Sequence, residues 1–318
     1  MRAVWLREFG GPEVLVAGDA PDPVAGPGQV LVEVEYVNIT FVETMFRASG
    51  FGPFPRRPPL IPGNGVGGVV SAVGADVDPG LVGARVVSST GGSGAYAELV
   101  AVDAAGLVRV PDAVALDDAV ALLADGRTAA MQLGAAEVAE GDRVLVEAAA
   151  GGVGTLLVQL AAAAGARVVA LAGGAAKTRL AEQLGAEVAI DYRQPDWPDR
   201  VRAAVGGVDV VFDGVGGAVG RTAFDLLDRG GRMLSYGLAS GEWADIPERT
   251  AAERGVRLVR ASATPEQMRG FVEEVLAKAA AGQLRPVIGQ RFALDRAADA
   301  HAAVQSRQTI GKTLLEVR

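Results

Sequence analysis

A chain of 318 residues, half of them hydrophobic and 21% charged, carries enough apolar surface for about two cored domains, and its 43 glycines and 16 prolines show neither a collagen period nor a low-complexity block. Thirty basic against 38 acidic residues give a net charge of −8 with no basic stripe, which argues against a protein that grips nucleic acid by neutralising phosphates. The absence of cysteine and the presence of one histidine, His301, exclude disulfide frameworks, thiolate zinc sites, iron–sulfur ligation, cysteine nucleophiles and three-histidine metal centres.

Met1–Arg7 begins a strand-like run and lacks the apolar core of a signal peptide, so a soluble, cytoplasmic protein is expected. Gln29–Glu35 alternates, with Val30, Val32 and Val34 on one face and Gln29, Glu33 and Glu35 on the other, and Leu31 the one lapse. Such a period of two with a charged outer face predicts a half-buried antiparallel strand. Similar runs follow at Gly67–Val73, Arg85–Ser88, Tyr96–Val102 and Gly106–Val110, between turn clusters such as Pro21–Gly28 and Asp76–Gly83. The first part therefore reads as a compact β-barrel or sandwich.

From about Val114 the period changes. Strand-like runs at Arg143–Val146, Arg167–Leu171, Val188–Ile190, Val208–Phe212 and Arg232–Tyr236 alternate with helical segments that include Val153–Ala164, Ala175–Leu184, Val219–Leu227 and Pro265–Ala280. Nearly all-apolar strands alternating with helices predict a parallel sheet covered on both faces. The uncharged stretch Ala148–Ala166 reads as a glycine turn followed by an alanine-rich buried helix rather than as a membrane span. After Gly289 the pattern breaks, and Lys312–Val317 reads as a last strand that returns to the first domain.

The most informative segment is Arg143–Gln159. A buried strand runs into Ala149, Ala150, Gly151, Gly152, Val153 and Gly154 and then directly into a helix, a dinucleotide fingerprint with alanine in place of its first glycine. Gly151 would let the backbone approach a pyrophosphate, and Gly154 would let helix and strand pack closely. The helix amino terminus would offer N–H groups and a positive dipole end to the phosphates. An NAD site carries an acid about 20 residues further on for the ribose 2′-hydroxyl. Here no Asp or Glu occurs between Glu147 and Glu182, and the second strand ends in Leu171–Gly174 followed by Lys177 and Arg179. A lysine beyond a glycine turn pairs with a 2′-phosphate that an acid would repel, so NADP(H) is the expected cofactor.

With those residues in hand, the chain resembles the zinc-independent quinone oxidoreductase (zeta-crystallin-like) branch of the medium-chain dehydrogenase/reductase superfamily. The resemblance runs through Gly10–Leu15 (GGPEVL), Pro27–Val34 (PGQVLVEV), Gly141–Gly154, Asp191–Arg193 (DYR), Phe212–Gly217 (FDGVGG) and Gly311–Leu315 (GKTLL). It implies an α/β protein with a β-rich domain: a GroES-like β-barrel substrate domain over residues 1–122, a doubly wound parallel Rossmann domain binding NADP(H) over 123–260, and a segment, 261–318, that ends the Rossmann domain and returns to the barrel. It also implies an active site between the domains and a homodimer, paired through edge strands of the Rossmann sheets. Zinc enzymes of the superfamily use Cys and His with a Gly-His-Glu segment, where this chain has Gly63–Asn64–Gly65, so no metal is expected.

The same resemblance assigns Lys177 and Tyr192 to the cofactor phosphate, Gly173 to the turn they line, and Thr128 to the nicotinamide. It places Val215 and Gly216 on a loop beneath the cofactor, Tyr236 and Gly237 at the nicotinamide, and Arg307 near the cofactor. The family's Asn-x-x-Asp aligns with Thr40–Phe41–Val42–Glu43, with Asn38 two residues earlier, a departure that bears on substrate choice. Asn38, Thr40 and Glu43 are the candidate substrate-side polar groups, although a polar first turn with capping duties fits them equally.

The activity implied is metal-free hydride transfer from NADPH to a quinone or similar planar hydrophobic acceptor. The rivals are reduction of an enone or enoyl alkene, with Tyr36, Glu43 or Tyr96 as proton donor, and non-catalytic NADPH binding. Phe41, Met45, Phe46, Phe51 and Phe54, among Pro53, Pro55, Pro58 and Pro59, would suit a planar substrate or simply pack the core. Tyr96 either points into the cleft or fills the barrel, His301 reads as structural or solvent-exposed, and Lys312 reads as a surface residue.

Overall fold

The structure is a computed structural model and describes residues 1–54 and 56–318; Pro55 of the proline cluster lies outside the described residues. The chain forms two compact units, Met1–Gly126 with Val272–Arg318, and Arg127–Phe271.

In chain order the strands and helices are β1 (Arg2–Leu6), β2 (Leu15–Asp19), β3 (Gln29–Ile39), α1 (Phe41–Ser49), β4 (Gly65–Val73), β5 (Arg85–Ser89), β6 (Leu99–Asp103), β7 (Val108–Arg109) and α2 (Leu116–Ala136). They continue as β8 (Arg143–Val146), α3 (Gly152–Ala163), β9 (Arg167–Ala172), α4 (Ala175–Gln183), β10 (Val188–Asp191), α5 (Trp197–Val205), β11 (Val208–Asp213), α6 (Gly217–Phe224), β12 (Leu227–Ser235) and α7 (Glu248–Arg254). The chain closes with β13 (Arg257–Leu258), α8 (Pro265–Ala280), β14 (Ile288–Ala293), α9 (Ala297–Gln305) and β15 (Lys312–Glu316).

In the first unit a seven-stranded sheet runs β14-β15-β3-β4-β5-β7, with β6 also paired to β3. Every pairing is antiparallel except β14 with β15. The alternation of β3 does what its pattern predicts: Val30, Val32 and Val34 are fully buried, in a core with Leu6, Val66, Val86 and Leu315. Beyond Val34 the buried face passes to Val37 and Ile39, because the register with β4 shifts between Val34 and Tyr36. The closing strand β15 pairs with β3 through Thr313–Glu316, so the carboxy-terminal segment completes this sheet. Lys312, read as a surface residue, is only 3% exposed, and its Nζ lies 3.0 Å from Asp125 Oδ2.

In the second unit six parallel strands stand in the order β10-β9-β8-β11-β12-β13. Counting from β8 this is 3-2-1-4-5-6, the doubly wound dinucleotide-binding order, with its switch point between β8 and β11. Val144–Val146, Val168–Leu171 and Val210–Phe212 are fully buried, as strands covered on both faces must be. Three helices that the pattern does not assign, α2, α5 and α7, belong to the observed set.

Candidate functional site

In an open parallel sheet ligands bind at the carboxyl ends of the strands, beside the switch point. Here β8 passes into α3 through Glu147–Gly151. The Gly151 N–H donates to the Ala148 carbonyl at 2.8 Å and closes the turn. A Cβ on Gly154 would lie 2.2 Å from the Ala148 carbonyl oxygen and 2.8 Å from Ala149 Cα, so only glycine lets the helix sit this close to the strand. The left-handed residue of the turn is Ala148, at φ 48°, which is why alanine suffices at 149. No side chain caps α3 at Gly151, so its first N–H groups are presented as an anion cradle.

The second turn, Gly173–Gly174, joins β9 to α4. A Cβ on Gly173 would stand 3.5 Å from the Tyr192 hydroxyl and 3.6 Å from Arg193 Cδ, and one on Gly174 would stand 2.6 Å from Arg193 Nη2. The guanidinium therefore lies over the turn. It is fixed there by Asp191, with Nε to Oδ1 at 3.0 Å and Nη2 to Oδ2 at 2.8 Å. Those bonds hold the Asp191 carboxyl down at about 2. Lys177 is half-buried in the first turn of α4, and its ammonium is lowered by burial and then by repulsion from Arg193. Two cations and a phenol thus converge at this turn, the kind of side chains that bind a phosphate. Arg193 is the residue the sequence reading left out, although it adjoins Tyr192 in the DYR segment.

The third part is the turn after β11. The Val215 N–H donates to Glu147 Oε2 at 3.0 Å, the Gly216 N–H to Asp213 Oδ1 at 2.6 Å, and the Ser235 hydroxyl to Asp213 Oδ2 at 2.7 Å. Tyr236 packs its hydroxyl over Gly214 and donates to the Glu147 carbonyl at 3.3 Å, while Gly237 abuts the Gly214 carbonyl. Gly151–Gly154, Gly173, Lys177, Tyr192, Val215, Gly216, Tyr236 and Gly237 are therefore brought to the carboxyl ends of one sheet. Thr128 lies in α2, in the same unit, and Arg307 in the other, just past α9 with φ 57°.

In the first unit, Thr40 caps α1. Its N–H and hydroxyl both donate to Glu43 Oε2, at 2.6 and 2.7 Å, and the Asn64 N–H donates to Glu43 Oε1 at 2.9 Å. Burial raises the Glu43 carboxyl, against the pull of those donors and of Lys312. Glu43 and Thr40 therefore tie the strand-to-helix turn to the Gly63–Gly65 loop. Asn38, at the end of β3 against Gly65, is buried with neither amide atom hydrogen-bonded. Tyr96 is fully buried, and its hydroxyl lies 2.7 Å from His301 Nε2. Burial, then Arg47, lowers the His301 imidazole to about 3, so the ring is neutral and structural. Phe46 is core, edge-on to Phe9 and Phe54, whereas Phe51 is exposed.

Two family models match the chain: an alcohol dehydrogenase GroES-like domain over residues 26–112 and a zinc-binding dehydrogenase over 152–277. A quinone oxidoreductase of Pseudomonas aeruginosa is 34% identical over 323 residues, spanning 99% of both chains. The chain belongs to the quinone oxidoreductase (zeta-crystallin-like) branch of the medium-chain dehydrogenase/reductase superfamily. Among solved structures, the quinone oxidoreductase of Escherichia coli in complex with NADPH superposes with a TM-score of 0.92 at 30% identity, covering 100% of each chain. A NAD-dependent alcohol dehydrogenase superposes equally well, at 0.92 and 31%, again over the whole of both. The two units are accordingly the GroES-like and Rossmann domains of this family. Despite the name of one matching model, the Cys and His ligands of a superfamily zinc site have no source in a chain with no cysteine and one, buried, histidine.

Proposed function

We propose that the protein is an NADPH-dependent quinone reductase that works without a metal. The observation that carries the cofactor half is the β9 turn, where Lys177, Tyr192 and Arg193 converge and the one acid, Asp191, is occupied by Arg193. Full-length similarity to quinone oxidoreductases, one of them solved with NADPH, supports both the cofactor and the acceptor. When bound, NADPH supplies the hydride. The N–H groups of the first turn of α3 hold the pyrophosphate, Lys177, Tyr192 and Arg193 hold the 2′-phosphate, and the 214–217 loop with Tyr236 and Gly237 orients the nicotinamide end.

Reduction of a quinone asks little more than orientation of a carbonyl, because protons come from solvent. Two of the three proton donors an alkene reductase would draw on are engaged elsewhere. Glu43 accepts three hydrogen bonds, from Thr40 and Asn64, and Tyr96 is bonded to His301 in the core, while burial, and then Asp117 and Glu316, raise the Tyr36 phenol and make it a weaker acid. Of the three acceptor-side candidates, Asn38 is the one whose hydrogen-bonding groups are uncommitted, and we assign it the orienting contact. The protein acts in the cytoplasm as a homodimer paired through the outer strand of its Rossmann sheet. Among the described residues no helix is long and apolar enough to cross a membrane.

The test is loss of reduced-nicotinamide absorbance with ortho- and para-quinones and an α,β-unsaturated ketone. NADPH-dependent turnover of quinones alone is expected. Turnover of the ketone without quinones would replace this reading, and tight NADPH binding with no turnover would make the protein a binder.

A further inference from the structure

Glu147 is the last residue before the fingerprint turn and Asp213 the last of β11; both are fully buried. Each carboxyl holds one N–H of the 214–217 loop, Glu147 through Val215 and Asp213 through Gly216. Val146 and Phe212 are register partners on the adjacent parallel strands β8 and β11, so Glu147 and Asp213, the next residue of each, stand side by side. They differ in what else faces them. Asp213 has a donor on each oxygen, the Gly216 N–H and the Ser235 hydroxyl. Glu147 Oε1 is buried with no hydrogen-bond partner. Two buried carboxylates side by side repel, and an orphaned buried carboxylate oxygen is costly; one proton on Glu147 removes both penalties.

We propose that Glu147 is a protonated positioning residue, whose carboxyl proton is donated to Asp213 and whose other oxygen holds the Val215 N–H, so that one shared proton locks the 214–217 loop against the fingerprint turn and sets its shape for the cofactor. The positioning role rests on the NADPH reading above; the shared proton does not. The other polar groups at this point are the Gly214 N–H, which faces the Glu147 carboxyl, the Ser235 hydroxyl from β12 and the Tyr236 hydroxyl, which donates to the Glu147 main-chain carbonyl. None of these supplies a cation. Burial first, and then Asp213, hold the Glu147 carboxyl well above the ordinary carboxylate range, in accord with this geometry. A group protonated in the folded protein and ionised in the unfolded chain makes the fold lose stability as pH rises out of the carboxylate range.

The loop is shaped to need such a clamp. Gly216 is left-handed at φ 72°, and a Cβ there would lie 2.1 Å from the Glu242 carbonyl, so the segment has little room to settle elsewhere. Deprotonation would leave two negative charges side by side, and their repulsion would push the two carboxyls apart together with the N–H groups they hold.

The decisive comparison uses Glu147→Gln, whose amide can donate to Asp213 and accept from Val215 as the neutral acid does, and Glu147→Ala, which can do neither. Infrared difference spectra of wild type against Glu147→Gln, on the cofactor-free protein at neutral pH, are expected to show one protonated carboxyl band lost. A difference confined to carboxylate bands would overturn the proposal. In NADPH titrations from weakly acid to alkaline buffer, wild type is expected to lose affinity about tenfold as the proton leaves, and Glu147→Gln to stay flat. Glu147→Ala is expected to be about tenfold weaker throughout, the effect of one buried hydrogen bond. Parallel profiles for wild type and Glu147→Gln would overturn the positioning role. If wild type binds no NADPH at any pH, the cofactor reading falls and the positioning role with it, while the infrared band still decides the shared proton.

Discussion

Gly154→Ala tests how the fingerprint works. The added Cβ would meet the Ala148 carbonyl oxygen at 2.2 Å and its carbon at 2.8 Å, both main-chain atoms with no rotamer to yield. Restoring ordinary contact requires the amino end of α3 to move away from the turn by about 1 Å. Such overpacking costs roughly 1–3 kcal/mol, of which about 1 kcal/mol returns through alanine's better helix propensity, leaving a net loss of up to about 2 kcal/mol. The effect on function is larger, because the N–H groups proposed to hold the pyrophosphate travel with the helix. A misplacement of about 1 Å is expected to weaken NADPH binding at least tenfold. Gly134→Ala is the matched control, since Gly134 lies in α2 with nothing within 4 Å of its added Cβ; it should stabilise by up to about 1 kcal/mol with unchanged affinity. Urea unfolding and NADPH fluorescence titration measure both quantities. A Gly154→Ala protein with wild-type stability and affinity would refute the close-packing account of this glycine.

Two further predictions concern the first unit. His301, neutral in the fold with its pKa at about 3, binds a proton in the unfolded chain at its ordinary value. Its contribution to stability therefore falls as pH drops below about 6.5, by about 1.4 kcal/mol per pH unit until the folded ring itself titrates. His301→Gln should flatten that part of the acid limb in urea unfolding, and identical slopes would contradict the assignment. Asp125→Ala, which strands the buried Lys312 ammonium, should cost about 3–5 kcal/mol, and Asp125→Ala combined with Lys312→Met should recover much of it. Equal losses in the single and double variants would mean that the pair is not coupled.

Much of this architecture is legible in the sequence, for physical reasons. The alternation of β3 and the apolar runs of β8, β9 and β11 report burial on one face and on two, and burial is what these patterns encode. The fingerprint is legible because Gly154 is where no side chain fits. α2 is harder to read: Ala119–Leu123 is apolar without a break and buried throughout, so it carries no helical period, and Gly126 reads as an interruption. Lys312 looks like an ordinary surface lysine because its partner, Asp125, is distant in sequence. Glu147 shows itself only as the edge of a stretch without acids, since what matters about it is the carboxyl it meets on β11. Arg193 was within reach, as a cation next to Tyr192, but its position over the Gly173–Gly174 turn comes from the two-residue link to Asp191.

The central claim is that the Gly173–Gly174 turn reads a 2′-phosphate. Its most direct test is the affinity of wild type, Lys177→Ala and Arg193→Ala for NADPH and NADH, measured side by side. Each lost charge-assisted contact is worth about 1.5–3 kcal/mol, so each variant should bind NADPH about tenfold or more weakly while NADH affinity stays the same. A wild type that prefers NADH, or variants that lose both cofactors equally, would contradict it.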